Sequence, residues 1–381
     1  MEALILSCGT GGGHNSAGKA VADELASRGC AVTFMDPYRL VGEHTDEYIG
    51  NAYIKIAQRA PKLFGRLYSI AEFYGRFPFH SPVYWANGKM TNAMRRYLSK
   101  HSYDCIVTTH LFPAQILAHM VGGQTPLPKT IFIATDYACI PFMQETSCDY
   151  YVIPAHDLID EFCEKGIPRD RILSYGIPVR KDFRSRTEKS EARANLGLTP
   201  DNEYILLSGG SIGAGRIVET VEVLQQYLQS DGARRLLVLC GNNQKLYAKL
   251  QKRYREHKQI QIMESTSRMA ELMSACDLFI TKPGGLSSTE AAVCNVPTIH
   301  ISPIPGCETR NANYFLKHGM NLYAANPKKD LLPAIYSLQN STKVKDMLQA
   351  QKRCIDPNAV VKLCDFIERT VIGEQNRTSP S

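Results

Sequence analysis

Tryptophan occurs once in 381 residues, at Trp85, and no apolar run approaches the ~20 residues that span a bilayer. Any membrane contact is therefore expected to be peripheral. The twelve cysteines are scattered, and none forms a Cys-x-x-Cys pair. That spacing excludes a zinc ribbon and a disulfide framework, and it points to reduced thiols in the cytoplasm. The stretch MEALILSCGTGGGH lacks a charged n-region and a long h-region, so no signal peptide is expected. Acidic residues are nearly missing from one segment. Between Lys55 and Lys100 stand nine Lys and Arg, with only Glu72 against them. The segment thus carries +8 of a net +7, which leaves −1 for the rest of the chain. Basicity confined to one segment argues against general nucleic-acid binding and for one acidic partner surface.

What is present is that of a globular protein, 44% hydrophobic and 21% charged, with a length that suggests two domains. The most informative stretch is Cys276–Asn311, CDLFITKPGGLSSTEAAVCNVPTIHISPIPGCETRN. Asp277 to Thr281 reads as a buried strand, and Lys282-Pro283-Gly284-Gly285 breaks it sharply. Ser287, Ser288 and Thr289 offer N-cap hydroxyls for the helix that follows, with Glu290 in its first turn. A glycine turn into a helix N-terminus suits a phosphate. A carboxylate such as Glu290 accepts two hydrogen bonds from a vicinal diol, as in a ribose. Pro297 to Ser302 reads as the next strand, with Glu308 and Asn311 in the loop at its C-terminal end, where open α/β sheets bind ligands.

Two further glycine loops follow strands. Gly9-Thr10-Gly11-Gly12-Gly13-His14-Asn15-Ser16 separates the strand Ala3–Cys8 from a helix expected over Ala17–Arg28. Its order is not the Gly-x-Gly-x-x-Gly of a dinucleotide site, and such a site has no use for a histidine at the tip. Ser208 to Arg216, SGGSIGAGR, separates the strand Tyr204–Leu207 from a helix over Ile217–Gln229. Another strand, Thr130–Ala134, ends in Thr135-Asp136.

These motifs resemble GT-B glycosyltransferases of family 28, in particular the branch of monogalactosyldiacylglycerol synthase and processive diacylglycerol glucosyltransferase. The pattern Lys-x-Gly-Gly-x-Ser/Thr-x-x-Glu-Ala, followed by Pro and Gly-x-Glu-x-x-Asn, is their donor-binding signature. The resemblance implies an α/β fold of two Rossmann-like domains facing a cleft, with a C-terminal helix crossing back to the first. The expected divisions are an acceptor-binding and membrane-docking domain over 1–180 and a linker over 181–202. A UDP-sugar domain over 203–352, the returning helix over 353–372 and a disordered tail over 373–381 complete the chain.

The resemblance also implies an activity: inverting transfer of a hexose from UDP-glucose or UDP-galactose to diacylglycerol, at the cytoplasmic face of the membrane. The acceptor needs a general base, and His14, Asp136 or the two as a pair would supply it. Donor binding would fall to Gly209, Gly210, Ser211, Gly213, Arg216, Asn242, Gly284, Gly285, Ser287, Ser288 and Glu290, with Glu308 and Asn311 on the sugar. Gly12 and Gly13 would face the acceptor. No Asp-x-Asp occurs, so helix dipoles are expected to serve in place of a metal, and no cofactor is expected. An N-acetylglucosaminyltransferase acting on an undecaprenyl-linked precursor shares the glycine loops, but it typically has paired glutamines where this chain has Cys307-Glu308-Thr309. A UDP-sugar 2-epimerase shares the fold with a different acidic set. A non-catalytic nucleotide-sugar or lipid-binding protein would not need His14 and Asp136.

The basic segment completes the reading. It holds nine aromatics, including Trp85, and Leu63, Phe64, Leu67, Ile70, Ala71 and Tyr74 recur at helical spacing. Interfacial helices combine such a face with cations for anionic headgroups. Lys62, Phe64, Arg66, Arg76 and Trp85 are the expected contacts with anionic membrane lipids; the alternative is a helix packed on its own domain with a solvated rim.

Overall fold

The computed structural model describes residues 1–9, 11–42, 45, 50, 60–77, 79–123 and 126–378. Lys55 and Arg59 of the basic segment lie outside these residues, as does the side chain of Lys62. The chain divides into two compact units, the second being Asp182–Asp356.

The first unit is built on β1 (Glu2–Leu6), β2 (Ala31–Met35), β3 (Cys105–Thr108), β4 (Lys129–Ile133), β5 (Tyr150–Val152) and β6 (Ile172–Leu173). They form one sheet in the order β2-β1-β3-β4-β5-β6, and every pairing is parallel. Parallel strands covered on both faces read as unbroken apolar runs; Ala3–Leu6 and Cys105–Val107 are fully buried. Chain order reverses between β1 and β3, so their C-terminal ends flank the switch point where such sheets bind ligands.

Helix α1 (Gly12–Ser27) follows β1 and buries Ala17, Ala20, Val21 and Leu25 on one face. It starts at Gly12, five residues before the expected Ala17, so His14 stands in its first turn. Glycine's poor helix propensity hides this start. Helices α2 (Pro61–Tyr74) and α3 (Pro82–Gly88) flank an elbow, and α4 (Leu111–Ala118) follows β3.

The second unit repeats the plan with β7 (Glu203–Ser208), β8 (Arg234–Leu239), β9 (Ile260–Met263), β10 (Leu278–Thr281), β11 (Thr298–Ile301) and β12 (Leu322–Ala324). The order is β12-β11-β10-β7-β8-β9, again all parallel, and its switch point lies between β7 and β10. Helices α5 (Ile217–Gln229), α6 (Gly285–Cys294) and α7 (Cys307–Lys317) follow β7, β10 and β11.

The last helix, α8 (Ala359–Thr378), belongs to the first unit. Val360, Leu363, Cys364, Ile367 and Val371 form its buried face and join the core of Ala3, Ile5, Val107 and Ile131. Arg28 at the end of α1 pairs with Asp365 at 2.7 Å and Glu368 at 2.9 Å on α8. Helical backbone runs on to Thr378, past Gly373 where a disordered tail was expected to begin. No proline interrupts 359–378, and the single Gly373 weakens the helix by only about 1 kcal/mol.

Candidate active site

In the first unit, the residues at the switch point converge on His14. Its Nδ1 lies 2.7 Å from the Thr109 carbonyl oxygen, just beyond β3, and 3.0 Å from Thr135 Oγ1, just beyond β4. A carbonyl only accepts, so Nδ1 carries the proton and donates it to Thr109. The neutral ring then keeps its lone pair on Nε2. Burial pushes this imidazole below its ordinary 6.5, while the nearby charge of Asp136 and the Thr109 carbonyl pull it back up. His14, Thr135 and Asp136 line one small pocket with Leu111, Ile140 and Met143.

His110 meets His14 edge to face, at 4.6 Å between ring centroids. Its Nδ1 accepts the Phe112 N–H at 3.2 Å, so it holds the opposite tautomer. Burial, and then the neighbouring His14, push His110 well below the usual histidine range. The motif readings passed over His110; the only sequence signal was its place at a strand's end.

In the second unit, three turns meet at the switch point. The Gly209–Arg216 turn after β7 is held by its own backbone: Ala214 N–H donates to Gly209 O and Gly213 N–H to Gly210 O, each at 3.0 Å. Asn242, after β8, donates its N–H to Ser211 O at 2.8 Å. Gly213 has φ +56°, and a Cβ there would sit 2.1 Å from the Cys240 oxygen, so only glycine closes this turn. Gly210, at φ +70°, lies so close to Lys282 that a Cβ would come within 2.8 Å of its Cε.

Lys282 opens the Lys-x-Gly-Gly signature and stands at the centre of these turns. Its ammonium pairs with Glu308, both side chains being about nine-tenths buried. The second Glu308 oxygen accepts the Ile304 N–H at 2.8 Å. Nζ also lies against the two glycine turns, 3.5 Å and 3.6 Å from where Cβ atoms of Gly210 and Gly284 would stand. One cation therefore faces both phosphate-suited turns.

Several sequence expectations need correction here. Gly284 is the N-cap of α6 and Gly285 its first residue, with no side chain capping the end. Ser287, Ser288 and Thr289 are inside the helix and do not cap it. Ser288 Oγ bonds His300 Nε2 at 2.9 Å, and Thr289 Oγ1 donates to Gly285 O at 2.8 Å. Glu290 lies in the second turn, buried to 7% exposure, and not in the first. Glu308 and Asn311 stand on α7 and not in a loop. Asn311 is fully buried and donates its amide to the Pro283 carbonyl at 3.0 Å, which makes it a brace for the Lys282–Gly284 turn. Arg216 is exposed and turned to Glu219, at 2.6 Å.

The elbow between α2 and α3 carries most of the large exposed apolar side chains. Leu63, Leu67, Ile70 and Phe73 follow one another at i, i+4, i+7 and i+10 on the outer face of α2, and Phe77, Phe79 and Trp85 continue it. All seven are 46–68% exposed. Arg66 and Arg76 are exposed beside them, whereas Phe64 is only partly so. Among the described residues, no helix is long and apolar enough to cross a membrane.

A pair of parallel α/β units, each with a glycine turn and polar side chains at its switch point, is the architecture of a GT-B glycosyltransferase. The comparisons agree. Residues 14–179 match the family "Monogalactosyldiacylglycerol (MGDG) synthase", and residues 204–359 match the "Glycosyltransferase family 28 C-terminal domain". This chain belongs to glycosyltransferase family 28, on its monogalactosyldiacylglycerol synthase branch. It is 25% identical, over 98% of its length and 97% of the relative's, to a processive diacylglycerol beta-glucosyltransferase of Bacillus pumilus. It is 28% identical, over 86% of its length and 71% of the relative's, to a probable chloroplastic monogalactosyldiacylglycerol synthase 2 of Oryza sativa subsp. japonica. Among solved structures, MurG of Acinetobacter baumannii matches in fold, with a TM-score of 0.59 at 17% identity over 97% of this chain and 99% of that one.

Proposed function

We propose that this enzyme transfers a hexose from UDP-glucose or UDP-galactose to diacylglycerol, with inversion, on the cytoplasmic surface of an anionic membrane. The observation that carries the reading is the tautomer of His14. With Nδ1–H committed to Thr109, Nε2 is a neutral lone pair, ready to take the acceptor's hydroxyl proton. Asp136 stabilises the imidazolium that forms, as its pull on the His14 pKa supports. Diacylglycerol is the acceptor in the name of the bacterial relative, and the exposed apolar elbow beside Arg66 and Arg76 suits a lipid surface.

On the donor side, UDP leaves with charge growing on its diphosphate, and fixed dipoles and cations lower that cost. The uncapped start of α6, the Gly209–Gly213 turn and the Lys282 ammonium supply both. Ser302 Oγ, buried beside Gly215 without a hydrogen-bond partner among the described residues, fits a further oxygen of that ligand. Glu290 serves the ribose. This chemistry needs no divalent ion, so activity persists in excess EDTA; loss of activity with rescue by magnesium overturns that part.

The deciding assay incubates the protein with diacylglycerol vesicles and each UDP-sugar, then identifies the lipid product. A glycosyldiacylglycerol from one sugar fixes both donor and acceptor. Transfer only to an undecaprenyl-linked precursor would replace the diacylglycerol reading.

A further inference from the structure

One loop joins the pocket of His14 to the exposed elbow. It leaves β4 at Ala134, passes Asp136, Ala138, Ile140 and Met143 along the pocket wall, and ends at Glu145. Its far end grips the elbow through three residues within four positions. The Phe142 ring meets Tyr74, the last residue of α2, at 6.2 Å. Gln144 Nε2 donates to the Gly75 carbonyl at 3.1 Å. Glu145 takes the Ser81 N–H on Oε1 at 2.5 Å and the Ser81 hydroxyl on Oε2 at 2.7 Å.

Ser81 is the N-cap of α3, the helix that carries Trp85, and its Oγ accepts the Tyr84 N–H at 3.1 Å. Glu145 is 6% exposed and Ser81 fully buried. Gln115 on α4 donates to Glu145 Oε2 at 2.7 Å and accepts from Asn87 on α3 at 2.7 Å. A buried carboxylate is costly unless its oxygens are satisfied, and here three donors converge on it. Phe142 holds φ +68°, a left-handed conformation that favours glycine. A bulky residue persists there only when its surroundings fix it.

We propose that Glu145 is a positioning residue for the acceptor: it holds the lipid-facing elbow in register with the wall that carries Asp136, so that a hydroxyl presented at the membrane surface reaches His14. The inference rests on the diacylglycerol reading above and adds to it the link between docking and chemistry. A group held an ångström out of register loses about a hundredfold in rate without losing binding. Glu145 touches neither reactant, so its loss acts only on acceptors delivered by the surface.

The test compares two acceptors, diacylglycerol in anionic vesicles and a short-chain diacylglycerol dispersed below its aggregation limit. In Glu145→Gln the new NH2 faces either the Ser81 N–H or the Gln115 amide, donor to donor in both orientations, and the joint opens. Transfer in vesicles is expected to fall ten- to a hundredfold in kcat, with an unchanged KM for the UDP-sugar. Vesicle binding and transfer to the dispersed lipid stay at parental levels. The exchange Glu145→Gln with Gln115→Glu restores one carboxylate–amide pair and recovers part of the vesicular rate. Gln144→Ala, which deletes a single half-buried contact, gives a smaller loss of the same kind and covers the case that Glu145→Gln does not fold. Equal losses on both acceptors overturn the proposal, since Glu145 then only supports the pocket. Parental rates on both overturn it as well. A parent protein inactive on both lipids rejects the diacylglycerol reading itself, before any variant is compared.

Discussion

Lys282 and Glu308 form an ion pair at the C-terminal edge of the second sheet, with about a tenth of each side chain exposed. Neither turn nor helix alone explains it. Lys282 comes from the turn after β10 and Glu308 from the first turn of α7, and Asn311, one turn on, braces the lysine's own turn through Pro283. The cation is thus held on a carboxylate between the Gly210 and Gly284 turns.

Breaking one side of this pair leaves a buried charge alone. Lys282→Met is expected to cost about 3–5 kcal/mol of stability in the second unit, and UDP affinity should fall with it. Lys282→Met with Glu308→Leu removes both charges and should return stability to within about 1 kcal/mol, while UDP affinity stays low. Urea denaturation and calorimetry with UDP separate the two effects. Parental UDP affinity in the stable double variant would exclude Lys282 from the donor site.

His14→Ala should lower turnover by the ~10²–10⁴-fold typical of a lost general base. The acid limb of kcat/KM is expected below pH 6.5, because burial depresses the His14 pKa. Asp136 raises that pKa, so Asp136→Asn should move the limb to still lower pH and slow the reaction, since the ring becomes a weaker base. A pH–rate profile of both variants checks this. A limb that stays in place in Asp136→Asn would show that the carboxylate does not act on His14.

Buried neutral histidines should also lower the stability in acid. His300 on β11 is fully buried, and burial holds its pKa down to about 3; His110 is depressed in the same direction. The unfolded chain binds these protons below about 6.5 and the folded chain does not, so stability is complete above that pH. It falls as the pH drops from 6.5 toward 3. His300→Phe should flatten the slope in the second unit. Urea midpoints measured from pH 7 to 4 that are equally steep in parent and variant would contradict it.

How much of this was legible in the sequence follows from its physics. β1, β7 and β10 were readable because strands buried on both faces are continuous apolar runs. The starts of α1 and α6 were not, because glycine reads as a loop residue. Yet the first turn needs no intrahelical partners for its N–H groups, so glycine is tolerated there. Glu308 and Asn311 looked like loop residues after Pro303 and Pro305; the helix starts directly behind Gly306, whose φ of +116° makes the bend. Buried joints such as Glu145–Ser81, 64 positions apart, leave no local trace. The facing of α2 was illegible for another reason. Phe64, Tyr68 and Tyr74 recur at helical spacing just as Leu63, Leu67 and Ile70 do, so periodicity does not say which set turns inward.

The outward set gives the last prediction. Leu67, Ile70 and Phe73 are 49%, 62% and 60% exposed, on a face with no protein cover among the described residues. Full burial of such a side chain contributes about 1.5–3 kcal/mol, so half-exposed ones add roughly 1 kcal/mol each on entering a lipid interface. Each arginine near an anionic surface adds about 1 kcal/mol. Replacing Leu67, Ile70 and Phe73 with Ser should therefore lower vesicle partitioning by about two orders of magnitude at any salt concentration. Replacing Arg66 and Arg76 with Gln should lower it by about 30-fold, and at low salt only, because screening already removes that part at high salt. Trp85, 62% exposed at the same elbow, reports the event: its fluorescence should shift to the blue with anionic vesicles in the parent and not in the serine variant. UDP affinity should be unchanged in both, since the residues proposed to bind the donor belong to the second unit. Sedimentation of the serine variant with vesicles as fully as the parent would mean that the elbow is not the docking surface.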